Sequence, residues 1–304
     1  MLDLLIDLKN TVDFWLRRHL RWQRKGYSET SGNNLFLFAS APELFRQETV
    51  LLKNYPALQI LQARCEATRY QENLNLLCLL DATQNHLNFE KKAQEATLHC
   101  LEIGFKNWST LPALVIFLAE HWQGPIEITG VEIDLWRVYQ DGHSRYDALM
   151  FHIEETQKLL SRINRDNIRI EWQESDIREH QAAPYDFILW ALPFIFEEPH
   201  QAWGLPKRYF NPQACIEHVF SKCLKQGGLM LSSHQGELEA TQHQLLLKNV
   251  STRPEITLNA IAEQPFLEHR YPRYAQITHR DPKNTNAAPS NHSERHLETL
   301  RSSN

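Results

Sequence analysis

Three acidic side chains follow short apolar stretches in the middle of the sequence. Glu102 ends the run LHCLE, Glu132 ends EITGVE, and Asp176 follows IRIEWQES. Carboxylates accept hydrogen bonds from hydroxyl and amino groups, and in dinucleotide-binding folds a carboxylate after the second strand accepts from both hydroxyls of a ribose. We therefore expect Glu132 to bind a ribose, Asp176 an adenine amino group, and Glu102 a cationic ligand group.

The loop after the first of these stretches contains a glycine and then the start of a helix. Gly104 permits a sharp turn and lets a ligand approach the backbone closely. Ser109 or Thr110 provides an N-cap for the helix, whose free N–H groups and positive dipole end would face the ligand. Gly104 is therefore a candidate ligand contact.

These residues need a scaffold that brings them together. From residue 97 onward, short runs rich in β-branched residues alternate with longer amphipathic stretches. This alternation predicts parallel strands with right-handed crossovers, which is a doubly wound α/β sheet with ligands beyond the carboxyl ends of its strands. The predicted strands are 97–103, 126–133, 168–172, 185–191 and 229–233, the helices are 111–122, 142–163 and 212–224, and an antiparallel edge pair spans 255–262 and 271–278.

The two ends of the chain differ from the middle. Helical spacing of apolar residues predicts helices over 1–25, 42–54 and most of 57–95, so we expect residues 1–95 to form a helical cap or lid. Residues 96–280 then form the sheet domain. The sequence from 281 to 304 is polar and nearly free of large apolar residues, which predicts a disordered tail.

Five pieces of the sheet region resemble, in order and rough spacing, the class I S-adenosylmethionine-dependent methyltransferases. They are LEIG at 101–104, GVEID at 130–134, ESDI at 174–177, YDFILWALPF at 185–194 and LKQGGLMLSS at 224–233. The resemblance implies a seven-stranded, Rossmann-like sheet and S-adenosylmethionine as cofactor. By position, Gly104 would touch the methionine part, Glu132 the ribose and Asp176 the adenine. The cofactor site it implies consists of Glu102, Gly104, Asn107, Trp108, Glu132, Ile133, Asp176, Ile177 and Trp190.

The first loop departs from the family's pattern, which usually has three glycines in five or six residues. Here Gly104 is followed by FKNW, and the interval from Gly104 to Glu132 is longer than usual. We therefore expect the loop to take another path, with Asn107 in a left-handed backbone conformation. This departure bears on cofactor binding more than on the fold.

The end of the fourth strand predicts part of a substrate site. Pro193 and Phe194 fit a motif of methyltransferases that act on amino groups, but Ala191 lacks the amide or carboxylate that would hold the target amine. We do not infer an adenine or glutamine methyltransferase. Arg145 and Trp203 are further candidates for substrate binding.

Three histidines near the expected strand ends are candidate general bases, because the ordinary pKa of imidazole lies close to neutrality. They are His143, His200 and His234. For each of them, an ordinary structural histidine is the alternative interpretation.

Composition limits the remaining classes. The net charge is −5 and the pI is about 6.3, which argues against binding a nucleic acid across the whole surface. The five cysteines form no CxxC pair and the fifteen histidines no HExxH motif, so neither a disulfide framework nor a metal site is predicted. No apolar run is long enough for a bilayer and no signal peptide is recognisable, which predicts a cytoplasmic protein.

The leading hypothesis is therefore an S-adenosylmethionine-dependent methyltransferase acting on a small molecule. Two alternatives stay open: a binding or scaffold protein that keeps the fold without the cofactor, and an enzyme like the aminopropyltransferases. The sequence leaves the methyl acceptor and the oligomeric state open, a homodimer included.

Overall fold

The computed structural model of the chain describes residues 2–20, 26–87, 96–181, 184–262, 264–267 and 272–280. The helices are α1 Leu2–His19, α2 Pro42–Asn54, α3 Leu58–Arg64, α4 Ala67–Leu87, α5 Leu111–His121, α6 Arg145–Arg162, α7 Glu197–Ala202, α8 Pro212–His218 and α9 Glu237–Lys248. The strands are β1 Leu98–Ile103, β2 Ile126–Glu132, β3 Ile168–Glu174, β4 Tyr185–Ala191, β5 Leu224–His234, β6 Glu255–Ala262 and β7 Arg273–His279.

Within the described residues the strands form one seven-stranded sheet in the order β3-β2-β1-β4-β5-β7-β6. The first five strands are parallel, and β7 runs antiparallel between β5 and β6. The chain moves from β1 outward to β3 and then returns to the other side of β1 with β4. The carboxyl ends of β1 and β4 therefore flank the reversal of strand order, where doubly wound sheets bind their ligands. The α/β doubly wound fold predicted from the sequence is confirmed.

The main hydrophobic core lies between the sheet and its helices. The apolar run of α5 is buried from Leu111 to Leu118, because this helix packs against α4 and α6 and shares one hydrophobic cluster with residues of the sheet. Leu74 and Leu77 of α4 belong to the same buried cluster as Cys100 of β1. The N-terminal helices α2 to α4 thus share a core with the sheet, while their action as a lid stays a prediction.

Several element bounds differ from the sequence-based prediction. The long helix expected over 57–95 is interrupted at Cys65, and residues 88–95 lie outside the described part of the chain. The fifth strand begins at Leu224 rather than at residue 229, since Leu224 already pairs with Tyr185 of β4. Helix α8 is correspondingly shorter and ends in a π-helical turn, Val219–Cys223. Helices α7 and α9 were not predicted.

The ends of the chain limit two predictions. Helix α1 ends at His19, and residues 21–25 lie outside the described residues, as does the polar segment 281–304. In the part of the chain that is described, no helix combines the length and the apolar character that crossing a bilayer requires.

Candidate functional site

A cavity of about 690 Å³ lies at the carboxyl ends of the parallel strands. This volume falls within the range of about 300–1,000 Å³ that is typical of small-molecule sites. Helix α4 forms one wall, and residues 192–212 form the wall that follows β4. The predicted site residues that line it are Glu102, Gly104, Glu132, Ile133, Asp176, Ile177, Trp190, Pro193, Phe194, His200 and Trp203.

Glu132 ends β2 and is almost completely buried at the cavity wall. Its Oε2 accepts a hydrogen bond from the Lys106 backbone N–H at 2.8 Å, and its Oε1 accepts one from the Asp134 N–H at 2.9 Å. Burial raises the pKa of Glu132, although the Arg145 guanidinium, 3.8 Å away, opposes the shift. Each carboxylate oxygen has two lone pairs, so Glu132 retains acceptor capacity for a ligand.

Glu102 lies in β1, at the centre of the sheet, and is also buried at the cavity. Its Oε2 accepts a hydrogen bond from Trp108 Nε1–H at 2.7 Å. Burial raises the pKa of Glu102 to about 7, because removal from water disfavours the ionised carboxylate and the indole compensates only in part. A carboxyl group beside Gly104 therefore changes its charge near neutral pH.

Asp176 lies after β3 and lines the cavity. Its carboxylate caps the short 3₁₀ turn Ile177–Glu179 by accepting from the Arg178 N–H at 2.9 Å. The Arg178 Nε also donates to both carboxylate oxygens at 3.0 Å. A ligand amino group at this carboxylate would therefore share it with a guanidinium.

The loop after β1 takes the unusual path that its glycine-poor sequence predicts, but through other residues. Left-handed backbone occurs at Gly104, Lys106 and Trp108, with φ of 71°, 58° and 58°, and not at Asn107. The prediction for Asn107 was wrong. The left-handed conformation occurs at Lys106 instead, where the backbone N–H donates to Glu132. Neither Asn107 nor Trp108 is among the described residues that line the cavity.

Two aromatic rings hold this loop against the sheet. Phe105 and Trp108 stack with ring centroids 4.5 Å apart. They lie over Gly130 of β2, where an added Cβ would come within 2.7 Å of the Phe105 ring and 2.8 Å of the Trp108 ring. The missing Cβ of Gly130 therefore gives the rings the space that they need.

Trp203 covers a group of cations at the cavity wall. The charged groups of Lys106, Arg137 and Arg145 lie 5.5, 5.3 and 4.9 Å from its ring centroid. Arg145 is almost fully buried beneath it and does not itself line the cavity among the described residues. The structure thus places Arg145 behind the site, next to Glu132, rather than at the predicted substrate contact.

His200 of α7 lines the cavity and is only 3% exposed. Its ring lies against Phe194 and Phe210, with centroids 5.5 and 5.4 Å away. Neither ring nitrogen has a hydrogen-bond partner within the described part of the chain. Burial lowers the pKa of His200 to about 4, so the imidazole is neutral at pH 7 and keeps a free donor and a free acceptor.

The other two candidate bases lie away from the cavity. His143 Nδ1 is 2.5 Å from Asp141 Oδ1, and its ring packs on Tyr27 and Tyr139. His234 is the last residue of β5 rather than a loop residue, because pairing with Tyr274 of β7 extends the strand. The geometry favours neither of them as a base at this cavity.

His234 instead belongs to a buried cluster between β5, α9 and β7. Its Nε2 lies 3.2 Å from both Ser232 Oγ and His243 Nδ1. His243 Nδ1 also lies 2.8 Å from Gln276 Oε1, where it is the donor. Burial lowers the pKa of His234 to about 3 and that of His243 to about 4. Both rings are therefore neutral structural histidines near pH 7.

Sequence reasoning missed several polar residues of the cavity wall. Glu72 and Asn75 of α4, Lys106 of the first loop and Arg273 of β7 line the cavity. Asn75 Oδ1 accepts from the Phe266 N–H at 2.9 Å, while its buried Nδ2 has no partner within the described residues. Nothing in the helical pattern of α4 distinguishes these positions, so only the packing of α4 against the sheet domain reveals them.

The cavity wall combines carboxylates, a neutral histidine among aromatic rings and further polar side chains. Its volume and its mixed lining suit a small molecule. Among the described residues no group of three or more His, Cys, Asp or Glu side chains is arranged to hold a metal ion.

Comparison with known proteins finds similarity at the level of structure. No family model matches the chain, and no curated protein matches its sequence. A class I S-adenosylmethionine-dependent methyltransferase described as putative, from Listeria monocytogenes, is 11% identical with a TM-score of 0.43, covering 80% of this chain and 68% of the other. The S-adenosylmethionine-dependent methyltransferase from Aquifex aeolicus is 11% identical with a TM-score of 0.39, covering 66% and 90%.

The plantazolicin methyltransferase BpumL, in complex with S-adenosylhomocysteine, is 12% identical with a TM-score of 0.39, covering 90% of this chain and 99% of its own. At these identities and scores the neighbours carry no argument about ligand or activity. The order and direction of the chain's own strands do establish the architecture. The chain has the seven-stranded, doubly wound α/β fold that its sequence predicted.

Proposed function

We propose that the chain is an S-adenosylmethionine-dependent methyltransferase that acts on a small molecule. One observation carries the proposal: Glu132 and Asp176, from the ends of adjacent strands, line the same cavity as Glu102 and Gly104. Carboxylates in these positions are suited to the ribose, the adenine and the amino group of the cofactor.

The residues present fit this cofactor. Glu132 retains lone pairs for ribose hydroxyls, Asp176 has acceptors for an amino group, and Ile133 and Ile177 add apolar surface beside them. Glu102, when ionised, would pair with the ammonium group of the methionine part. When bound, the cofactor supplies a methyl group already activated by its sulfonium.

The chain itself then has to orient an acceptor atom, exclude water and remove a proton. His200 is the best-placed base among the three predicted histidines, since it alone lines the cavity and its imidazole is neutral at pH 7. Its aromatic neighbours Phe194 and Phe210 keep water from the ring. Arg145 would act indirectly, by holding Glu132.

The other polar residues of the cavity wall favour a small polar acceptor. Lys106 and Arg273 bring positive charge, and Glu72 brings negative charge. A substrate with both hydrogen-bond donors and acceptors would satisfy these groups. The acidic chain, with its net charge of −5, is poorly suited to a nucleic-acid backbone.

Calorimetric titration with S-adenosylmethionine and S-adenosylhomocysteine tests the proposal directly. We expect micromolar affinity for the wild type and at least a tenfold loss in Glu132→Ala, since this variant removes the ribose acceptor. Glu127→Ala is the matched control, because Glu127 lies on the same strand but is half exposed away from the cavity. Circular dichroism would check that both variants fold.

One observation favours the alternative of a fold kept without the cofactor. Both oxygens of Glu132 already accept hydrogen bonds from backbone N–H groups. If folded wild type gives no heat with either ligand at high micromolar concentration, the proposal fails and a binding or scaffold role takes its place.

A further inference from the structure

Helix α1 packs on the rest of the molecule with a side that is mostly polar and includes one buried aromatic ring, that of Phe14. Arg17 Nε lies 2.7 Å from Asp134 Oδ1, and Arg18 Nε lies 2.8 Å from Glu174 Oε1. Asn10 Nδ2 donates to the backbone oxygen of Gln201 at 3.0 Å. The side of α1 that faces the molecule is thus held by ion pairs and hydrogen bonds around the Phe14 ring, while most of the large apolar residues of the helix face outward, unlike those of a usual amphipathic helix.

The opposite side of α1 exposes a continuous apolar face. Its members recur every three or four residues and therefore lie along one side of the helix. Each of them is between 36% and 72% exposed, although they are large apolar residues. The apolar face consists of Leu4, Leu5, Leu8, Val12, Trp15 and Leu16. A contiguous exposed patch of this kind marks an interaction surface.

Charge favours a second copy of α1 as the occupant. Lys9 and Asp13 are exposed, lie one helical turn apart and flank the same edge of the apolar face. When two α1 helices pack antiparallel about a two-fold axis, this edge of one helix lies beside the same edge of the other, and the two helices run in opposite directions. Lys9 of each copy then lies opposite Asp13 of the other copy, so the face is self-complementary.

Other occupants fit this surface less well. A membrane-binding helix carries free basic residues on its polar face, whereas Arg17 and Arg18 are engaged by Asp134 and Glu174. The polar sequence 281–304 has two large apolar residues, Leu297 and Leu300, which are too few to cover six.

We propose that the chain forms a homodimer in which the apolar faces of two α1 helices pack antiparallel. The helix has 18 residues, which corresponds to a length of about 27 Å. Burying this face in both copies removes on the order of 1,000 Å² from water, which reaches the size of a small specific interface. Since α1 also contacts Gln201 and Tyr209 near the cavity wall, the dimer contact braces the candidate site.

Sedimentation equilibrium of the full chain tests the proposal. We expect the wild type to sediment at about twice 35.7 kDa, and Leu8→Glu to raise the dissociation constant at least about tenfold. Leu238→Glu is the matched control, because Leu238 is a highly exposed leucine on α9, outside the apolar face. A wild type that is monomeric at 100 µM, or a Leu8→Glu variant that dimerises like the wild type, would overturn the proposal.

A charge exchange tests the antiparallel arrangement. Lys9→Glu places like charges opposite each other in a homodimer, and so does Asp13→Lys, so we expect each variant alone to dimerise more weakly. An equimolar mixture of the two restores opposite charges on both sides and should recover the heterodimer. Failure of the mixture to associate better than either variant alone would overturn the arrangement.

A vesicle arm separates the membrane alternative. The full chain is sedimented with vesicles of phosphatidylcholine and phosphatidylserine at a ratio of three to one. We expect no binding, because the dimer already covers the apolar face. Binding of a monomeric chain that Leu8→Glu abolishes would assign the face to a lipid surface instead.

Discussion

Burial shifts the pKa values of two cavity side chains in opposite directions. The pKa of the Glu102 carboxyl rises to about 7, and the pKa of the His200 imidazole falls to about 4. Both shifts have the same cause, since loss of water disfavours whichever form is charged. As a result Glu102 changes its charge near neutral pH, while His200 stays neutral.

The Glu102 shift predicts how cofactor affinity depends on pH. Only ionised Glu102 attracts an ammonium group, so the affinity for S-adenosylhomocysteine should rise about tenfold per pH unit below pH 7 and level off above it. Calorimetric titrations between pH 5.5 and 8 measure this dependence. Glu102→Gln should bind more weakly and without the rise.

Adenosine provides the control for this prediction. It lacks the methionine-derived part of the ligand, and with it the α-amino group that Glu102 is expected to bind. Its affinity should stay nearly constant over the same pH range. Equal affinity of the wild type for S-adenosylhomocysteine at pH 5.5 and pH 8 would remove Glu102 from the cofactor site.

His200→Phe tests whether the unpartnered histidine is kept for function. The variant keeps an aromatic ring between Phe194 and Phe210 but removes two buried nitrogens without partners. We expect the free energy of unfolding at pH 7 to rise by about 1 kcal/mol, as measured by urea denaturation. A less stable variant would mean that the nitrogens have partners in the fold.

The same variant separates two roles of His200. If His200 acts only as a base, His200→Phe binds S-adenosylhomocysteine as the wild type does. If His200 contacts the cofactor, the affinity falls together with the gain in stability.

At the scale of elements, the packing of the first loop on β2 sets the path of a loop whose one glycine is Gly104. Phe105 and Trp108 lie over Gly130 of β2 and fix the backbone that carries Lys106. The Lys106 N–H in turn positions the Glu132 carboxylate. The local sequence of β2 therefore controls the geometry of a loop that is distant in the chain.

Gly130→Ala should disturb this contact. The new Cβ would lie closer to both aromatic rings than van der Waals contact allows, so the loop must move. We expect a loss of about 1–3 kcal/mol in the free energy of unfolding, together with weaker binding of S-adenosylhomocysteine. Urea denaturation and calorimetry measure the two effects.

Gly26→Ala is the matched control for this substitution. A Cβ at Gly26 meets no atom within 4 Å, and the residue is exposed in a loop. Its stability and ligand affinity should stay close to those of the wild type. If Gly130→Ala behaves in the same way, the aromatic rings do not hold the loop.

At the scale of the whole molecule, buried neutral histidines link the stability of the fold to pH. The folded-state pKa of His243 is about 4, below its ordinary value of 6.5. Between these values the unfolded chain takes up a proton that the folded chain does not, so this contribution to stability is complete above pH 6.5 and is lost as the pH falls toward 4. Glu102 acts in the opposite sense, since its raised pKa favours the folded state as the pH falls from 7.

His243→Gln isolates the histidine contribution from that of Glu102. At pH 7.5 the variant shows only the cost of altered packing in the cluster with His234 and Gln276. Between pH 6.5 and pH 5 the wild type should lose about 2 kcal/mol more than the variant in the free energy of unfolding. Parallel pH profiles of the two proteins in urea denaturation would contradict this expectation.

The sequence by itself determined the doubly wound sheet and three carboxylates of the cavity wall. Strand–helix alternation is a local pattern, and parallel strands place their carboxyl ends at one edge of a sheet. Glu102, Glu132 and Asp176 therefore came together at the cavity as their positions predicted. The bounds of β4 were also predicted without error, because all but its last residue are buried in the sheet.

Only the tertiary structure decided the rest, because it depends on contacts between distant parts of the chain. Pairing of β5 with β7 drew His234 into the sheet, and Gly130 fixed the path of the first loop. The packing of α4 against the sheet domain added Asn75 to the cavity. The apolar periodicity of α1 predicted a helix, but the ion pairs of Arg17 and Arg18 with distant acids decided which face points outward.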